Sequence, residues 1–133
     1  NCVNSFYGIM HLCSKLEVLS ERQKRLLKEG VAYYRKLSEI KDKAFPIFPC
    51  GITSLDDDIV YAGLRYENKM YVSVYNMSCK AKRTEIDLSR YGAKTVKLVY
   101  PSDAENKYSF KDGVFVCEME KTSARSFEFS VNN

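Results

Sequence analysis

The sequence predicts a mainly β chain, an antiparallel β-sandwich preceded by one strand and one long amphipathic α-helix. Three observations predict it. A capping box at Ser20 opens a stretch of helical apolar spacing that runs to about residue 40. Beyond Gly51 the apolar period changes from about 3.6 to about 2 residues, the signature of strands. Those short alternating runs recur roughly every ten residues with turn chemistry between them, as in a sandwich.

The elements follow in order. Residues 5–13, "SFYGIMHLC", form a short apolar run of strand length, with Phe6, Ile9 and Leu12 along it and His11 read as a packed strand histidine. In "LSERQKRLLKEGVAYYRKLSEI", Ser20 caps and Gln23 completes the box. Leu26, Leu27, Val31, Tyr34 and Leu37 then recur on one side, so a helix is placed at about 21–40. Gly30 on the apolar side implies close packing against a neighbour, because glycine costs about 1 kcal/mol in a helix interior.

Next comes "KAFPIFPCG". Pro46 and Pro49 exclude a helix and extend the residues before them. Phe45, Ile47 and Phe48 make this connection greasy, whereas connections are normally polar. The expectation is a strap buried in a seam, where Phe48→Ala would cost about 3 kcal/mol.

"IVYAGLRY" and "KMYVSVYN", separated by Glu67 and Asn68, read as a hairpin. "RTEIDL" puts Thr84, Ile86 and Leu88 on one face, and "KTVKLVY" stops at Pro101. "KYSF", Lys111-Asp112-Gly113 and "VFVCEM" form a second hairpin with the Asp-Gly turn signal. "RSFEFSV" directs Phe127, Phe129 and Val131 inward and Ser126, Glu128 and Ser130 outward.

Bulk properties exclude several function classes. The 133 residues fit one domain, and the net charge of +4 is spread from Lys15 to Arg125 among acids. A nucleic-acid binder concentrates its charge on one face, so no nucleic-acid partner is expected. The run "RQKRLLK" reads as a solvated helix face. No segment approaches the ~20 apolar residues that span a bilayer, and Asn1 to Leu12 lacks the pattern of a signal peptide. No membrane partner is expected, and the lack of an initiator Met fits a chain cut from a longer one. Cys2, Cys13, Cys50, Cys79 and Cys117 are odd in number and never form C-x-x-C, so reduced thiols and a cytoplasmic location are expected. With His11 as the single histidine, no metal or cofactor site is expected.

One strand followed by one helix is a single β/α unit, which cannot bury both its faces. It reads as the end of a larger α/β body. Here "NSFYGIMHLCSKLEVLSERQKRLLKEGVAYYRKL" (4–37) and "FPIFPCGITSLDDDIVYAGLRYENKMYVSVYN" (45–76) resemble the C-terminal end of family 36 glycoside hydrolases, the α-galactosidases or melibiases. Residues 77–133 resemble them in strand pattern only, including "VKLVYP". The resemblance implies three parts: residues 1–44 as the last strand and helix of a (β/α)8 catalytic barrel, 45–50 as an interdomain strap and 51–133 as the C-terminal sandwich. Its implied partners are the parent barrel, within the same polypeptide, and a galactoside substrate reached only through that parent.

Retaining glycosidases use two carboxylates about 5–5.5 Å apart. By the resemblance both lie on earlier barrel strands, so no catalytic residue is assigned here. Asp56-Asp57-Asp58 is the tempting substitute and reads instead as a surface turn. His11 has no nearby carboxylate to orient it. The ten tyrosines raise a rival class, a free-standing sandwich that binds carbohydrate or protein, although the chain has no Trp and strand tyrosines usually pack. A strand and helix cut from their barrel expose edges and apolar surface, so the fragment is expected to self-associate, most simply as a twofold dimer through residues 5–40.

Overall fold

The structure, a computed structural model, describes residues 2–11, 15–54 and 56–132. Eight strands form two antiparallel sheets among these residues. The larger has the order β1(Phe45–Ile47)-β2(Ile59–Tyr66)-β3(Lys69–Asn76)-β8(Ser123–Val131)-β5(Ala93–Tyr100). The smaller is β4(Lys82–Asp87)-β7(Val114–Met119)-β6(Tyr108–Lys111). The mainly β sandwich read from the sequence is the fold observed.

Between the sheets lies an aromatic core. Phe115 meets Phe127 edge-on at 4.9 Å and Phe129 at 5.3 Å, and all three are fully buried. Both hairpins form as their turns dictate. Asp112 (φ 52°) and Gly113 (φ 83°) occupy the left-handed region that a two-residue turn of the primed type needs. Gly63 on β2 has a different reason: a Cβ there would sit 2.2 Å from the Tyr71 carbonyl oxygen on β3.

A third layer covers the outer face of the larger sheet. Helix α2 (Glu21–Ser38) starts with the full capping box: the Gln23 amide donates to Ser20 and the Ser20 amide donates to the Gln23 side chain. It lays Gly30, Tyr33 and Leu37 on the sheet, and all three are buried. Of the stripe read from sequence only Leu37 is fully buried; Leu26, Leu27, Val31 and Tyr34 are half-exposed because the helix is rotated toward Tyr33. Gly30 is where the neighbour comes close, since a Cβ there would be 2.9 Å from the Cys2 side chain.

The N-terminal segment corrects the expected strand. Cys2–Ser5 form a short helix, α1, followed by a turn and irregular chain to His11. Leu12 and Cys13 of the expected strand lie outside the described residues. The segment plugs into this unit. Phe6 is fully buried, edge-on to Tyr33 at 4.9 Å and to Tyr100 at 5.3 Å. The Tyr75 hydroxyl donates to the Val3 carbonyl at 3.1 Å, and the Tyr7 hydroxyl reaches Ser73 at 2.8 Å. Ile9 is exposed, and His11 is exposed rather than packed in a strand.

Because this layer covers the sheet, alternation breaks down there. Ser126, expected outward to water, is wholly buried and shares a hydrogen bond of 2.7 Å with Ser73, its cross-strand neighbour. Burying paired hydroxyls is tolerable because each finds a partner.

The strap is a second correction. Residues 45–47 form β1, an edge strand paired with β2 through Phe45↔Arg65 and Ile47↔Gly63. Pro46 is tolerated at such an edge. Ile47 alone of the three apolar residues is buried, while Phe45 is 74% and Phe48 49% exposed. In this unit the two rings therefore lie in no seam. Ile47→Ala should cost about 2 kcal/mol, the low end for a core aliphatic, and Phe48→Ala less than about 1 kcal/mol, as for surface sites. Urea unfolding of the two variants gives the order; a larger loss at Phe48 would return it to a buried seam.

Candidate functional site

Helix α2 is fixed to the sheet by charge along its length. At its start, Arg22 and Arg25 both reach Asp103 in the loop after β5, at 2.8 and 3.2 Å. In its middle, Glu29 accepts hydrogen bonds from the Ser102 amide and hydroxyl, each at 2.7 Å. Near its end, Lys36 joins Lys69 on Glu128 of β8, both at 2.6 Å.

Partial burial works to raise the Glu128 carboxyl, but the two ammonium groups hold it below the usual carboxylate range. The Arg22 guanidinium, with Arg25 beside it, does the same for Asp103. A lowered folded-state value means that these groups stabilise above the ordinary carboxylate range. Their contribution is lost as pH falls through the lower value. Glu128→Gln should therefore cost on the order of 1 kcal/mol at neutral pH and make melting less steeply dependent on pH on the acid side. Thermal unfolding between neutrality and strong acid checks it. An acid limb identical to that of the unaltered chain would remove Glu128 from the account.

With its inner side and both ends engaged, α2 leaves one flank open. Leu16 and Leu19, from the segment before the helix, face Leu27, Val31 and Ala32 across a groove of about 660 Å³. Lys24, Lys28 and Arg35 edge it. Leu16 is 49% exposed, and Val18 beside it is 76% exposed. This apolar flank is the candidate site. It has no chemistry for bond breaking; what it can do is bind.

The residues singled out from sequence come together nowhere. Asp56, Asp57 and Asp58 lie in a turn: the Ser54 amide donates to Asp57 at 2.7 Å, and Asp58 pairs with Lys82 at 2.7 Å. They serve local structure, as read. His11 is remote from this acidic turn in sequence and exposed. No cluster of three metal-ligating side chains occurs among the described residues. All ten tyrosines are buried or half-buried, so none offers a fully open ring for a sugar. Cys50 and Cys79 are exposed, Cys2 is half-buried and Cys117 is in the core, each as a free thiol. No helix among the described residues is long and apolar enough to cross a membrane.

Sequence reasoning missed the open flank, placing Leu27 and Val31 with the core-facing residues. A signal was present. Apolar residues at 26, 27, 30, 31, 33, 34 and 37 spread over about 160° of the helix circumference, wider than the ~100° stripe that one contact needs.

No family model and no curated protein matches this chain. Solved structures do match in fold. One is a Bacillus halodurans protein assigned as an α-N-acetylgalactosaminidase, with TM-score 0.63, 15% identity, and coverage of 95% of this chain and 29% of its own. A second is an Anoxybacillus α-amylase of a new glycosyl hydrolase subclass, with TM-score 0.61, 12% identity, and coverage of 98% of this chain and 32% of that one. A third is a family 30 subfamily 8 xylanase from Clostridium acetobutylicum, with TM-score 0.57, 11% identity, and coverage of 86% and 30% respectively. The chain spans about a third of the length of these proteins. These likenesses are of fold: the chain shares its mainly β architecture with part of each of these glycoside hydrolases.

Proposed function

We propose that this chain is the C-terminal accessory region of an α-galactosidase-like retaining glycoside hydrolase, and that its role is to pack against the catalytic barrel of its parent. The observation that carries the reading is the size of the structural likeness. Helix and sandwich together, 95% of this chain, correspond to under a third of a protein assigned to α-N-acetylgalactosaminide hydrolysis. That sugar shares the galacto configuration, which agrees with the sequence resemblance to α-galactosidases. The open apolar flank of α2 fits a unit that is incomplete without a neighbour.

On this reading the two catalytic carboxylates belong to the barrel, and the parent cleaves terminal α-linked galactose through a covalent intermediate. Residues 1–44 need restating within it. Phe6 and Tyr7 are held by this unit's own sheet and helix, so α2 and not a barrel strand is the element that meets the barrel.

The test uses the complete reading frame that contains these codons. Its product, purified, is assayed on an α-galactoside, an α-N-acetylgalactosaminide, an α-glucoside and xylan. Preference for the α-galactoside is expected. Preference for α-glucoside or xylan overturns the galactoside assignment, and inactivity on all four overturns the enzymatic parent.

A further inference from the structure

Asn76 ends β3 with its side chain buried, at 1% exposure. Its amide is used completely. Nδ2 donates to the Lys80 carbonyl and to the Glu120 carbonyl, each at 2.8 Å. Oδ1 accepts from the Ser78 amide at 3.0 Å and from the Ser78 hydroxyl at 2.9 Å. The chain crosses between the two sheets twice here, from β3 to β4 and from β7 to β8. One side chain therefore ties both crossings together, and the Thr122 amide adds a bond to the Ser78 carbonyl at 3.0 Å.

The same residues carry a second message. Asn76-Met77-Ser78 is an Asn-x-Ser acceptor for N-linked glycosylation, a modification of surface loops. In the fold the acceptor is closed twice over. A buried amide nitrogen offers a transferase no approach. A glycosylated amide also keeps a single N–H, where two carbonyls here each need a donor. A buried carbonyl stripped of its donor is costly, so the fold and the glycan compete for one nitrogen. In a chain that has not yet folded none of these bonds exists, and the acceptor is open.

We propose that Asn76 is a fold-gated glycosylation acceptor, modified only before the chain folds and excluding the fold once modified. The donor class is a lipid-pyrophosphate-linked oligosaccharide. Asn76 Nδ2 forms a bond to the anomeric carbon of the sugar as the bond from that carbon to the pyrophosphate breaks. The lipid pyrophosphate leaves with the electron pair, and the amide proton passes to a base of the transferase. The chain then reaches its fold where that transferase is absent, in keeping with the exposed free thiols of Cys50 and Cys79.

The test uses the 133-residue chain in two states. Led by a signal peptide, it is translated into microsomes, where the transferase meets it before it folds. Purified and folded, it is incubated with the solubilised transferase and the lipid-linked donor. Mass spectrometry of the peptide carrying Asn76 reads occupancy, and limited proteolysis reads the fold. The nascent chain should carry the glycan, and the folded chain severalfold less of it. Glycosylated chains should be cut severalfold faster than unmodified chains from microsomes depleted of donor. Asn76→Asp gives a second measurement without any glycan. It keeps oxygens that accept from Ser78 and removes both N–H donors, so its urea midpoint should fall. Equal occupancy in the two states, or no glycan on the nascent chain, would overturn the gate. Glycosylated chains as resistant as unmodified ones, or an unchanged midpoint for Asn76→Asp, would overturn the exclusion of the fold.

Discussion

Phe6→Ala should destabilise the chain by about 3–5 kcal/mol, the range for truncating a fully buried aromatic. Phe6 has no exposed surface and stands edge-on to both Tyr33 of α2 and Tyr100 of β5, so its ring ties the N-terminal segment to the helix and to the sheet. The edge-to-face contacts add about 0.5–1.5 kcal/mol each to what area alone supplies. Loss of the ring also frees the segment that brings Tyr7 to Ser73. Urea unfolding of the variant should shift to a lower midpoint with the slope retained. A loss below about 0.5 kcal/mol, typical of surface positions, would mean that the N-terminal segment is detached in solution and that the sandwich stands without it.

Gly63→Ala should be nearly as damaging, through backbone and not cavity. The added Cβ meets the Tyr71 carbonyl oxygen at 2.2 Å and the Val72 Cα at 3.1 Å. Neither atom is the loose end of a side chain, so β2 or β3 has to move. Gly63 pairs with Val72 and also with Ile47 of the strap, so the shift reaches β1 as well. Overpacking costs about 1–3 kcal/mol and occasionally more. A melting temperature unchanged by the substitution would contradict the close approach of the two strands.

The sandwich was legible because most of its strands bury one face, and a half-buried strand writes its period into the sequence. Residues 83–88 and 125–131 show it plainly. β3 was recognised as a strand, but its second buried face was not. In "KMYVSVYN", Met70, Val72 and Val74 face the other sheet, while Tyr71, Ser73 and Tyr75 lie on the face beneath α2 and the N-terminal segment. Small hydroxyl side chains inside an apolar strand were the trace of that third layer. Residues 5–11 misled for a general reason: a short apolar run has no periodicity that separates a strand from a turn packed edge-on into a core.

The candidate site was less legible than the fold. Proline and aromatic content marked the strap as unusual, yet Phe45 and Phe48 project from an edge strand, and composition carries no information about which side of a strand meets the core. The groove on α2 was written in the excess width of its apolar stripe, and its polarity in the alignment of Lys24, Lys28 and Arg35. Reading either requires knowing that Gly30, Tyr33 and Leu37, not Leu27 and Val31, face the sheet. That orientation goes with tertiary packing of Tyr33 and Leu37 in a cluster with Tyr71 and Tyr100, far away in sequence.

The central claim, a non-catalytic unit belonging to a galactoside-cleaving parent, is tested most directly by one paired rate measurement. The 133-residue chain and the product of its complete reading frame are purified side by side and offered the same chromogenic α-galactoside. The account predicts turnover by the complete protein and none above background by the chain, because on this reading both catalytic carboxylates belong to the barrel. Turnover by the chain that survives repurification and tracks with the protein through a sizing column would contradict it.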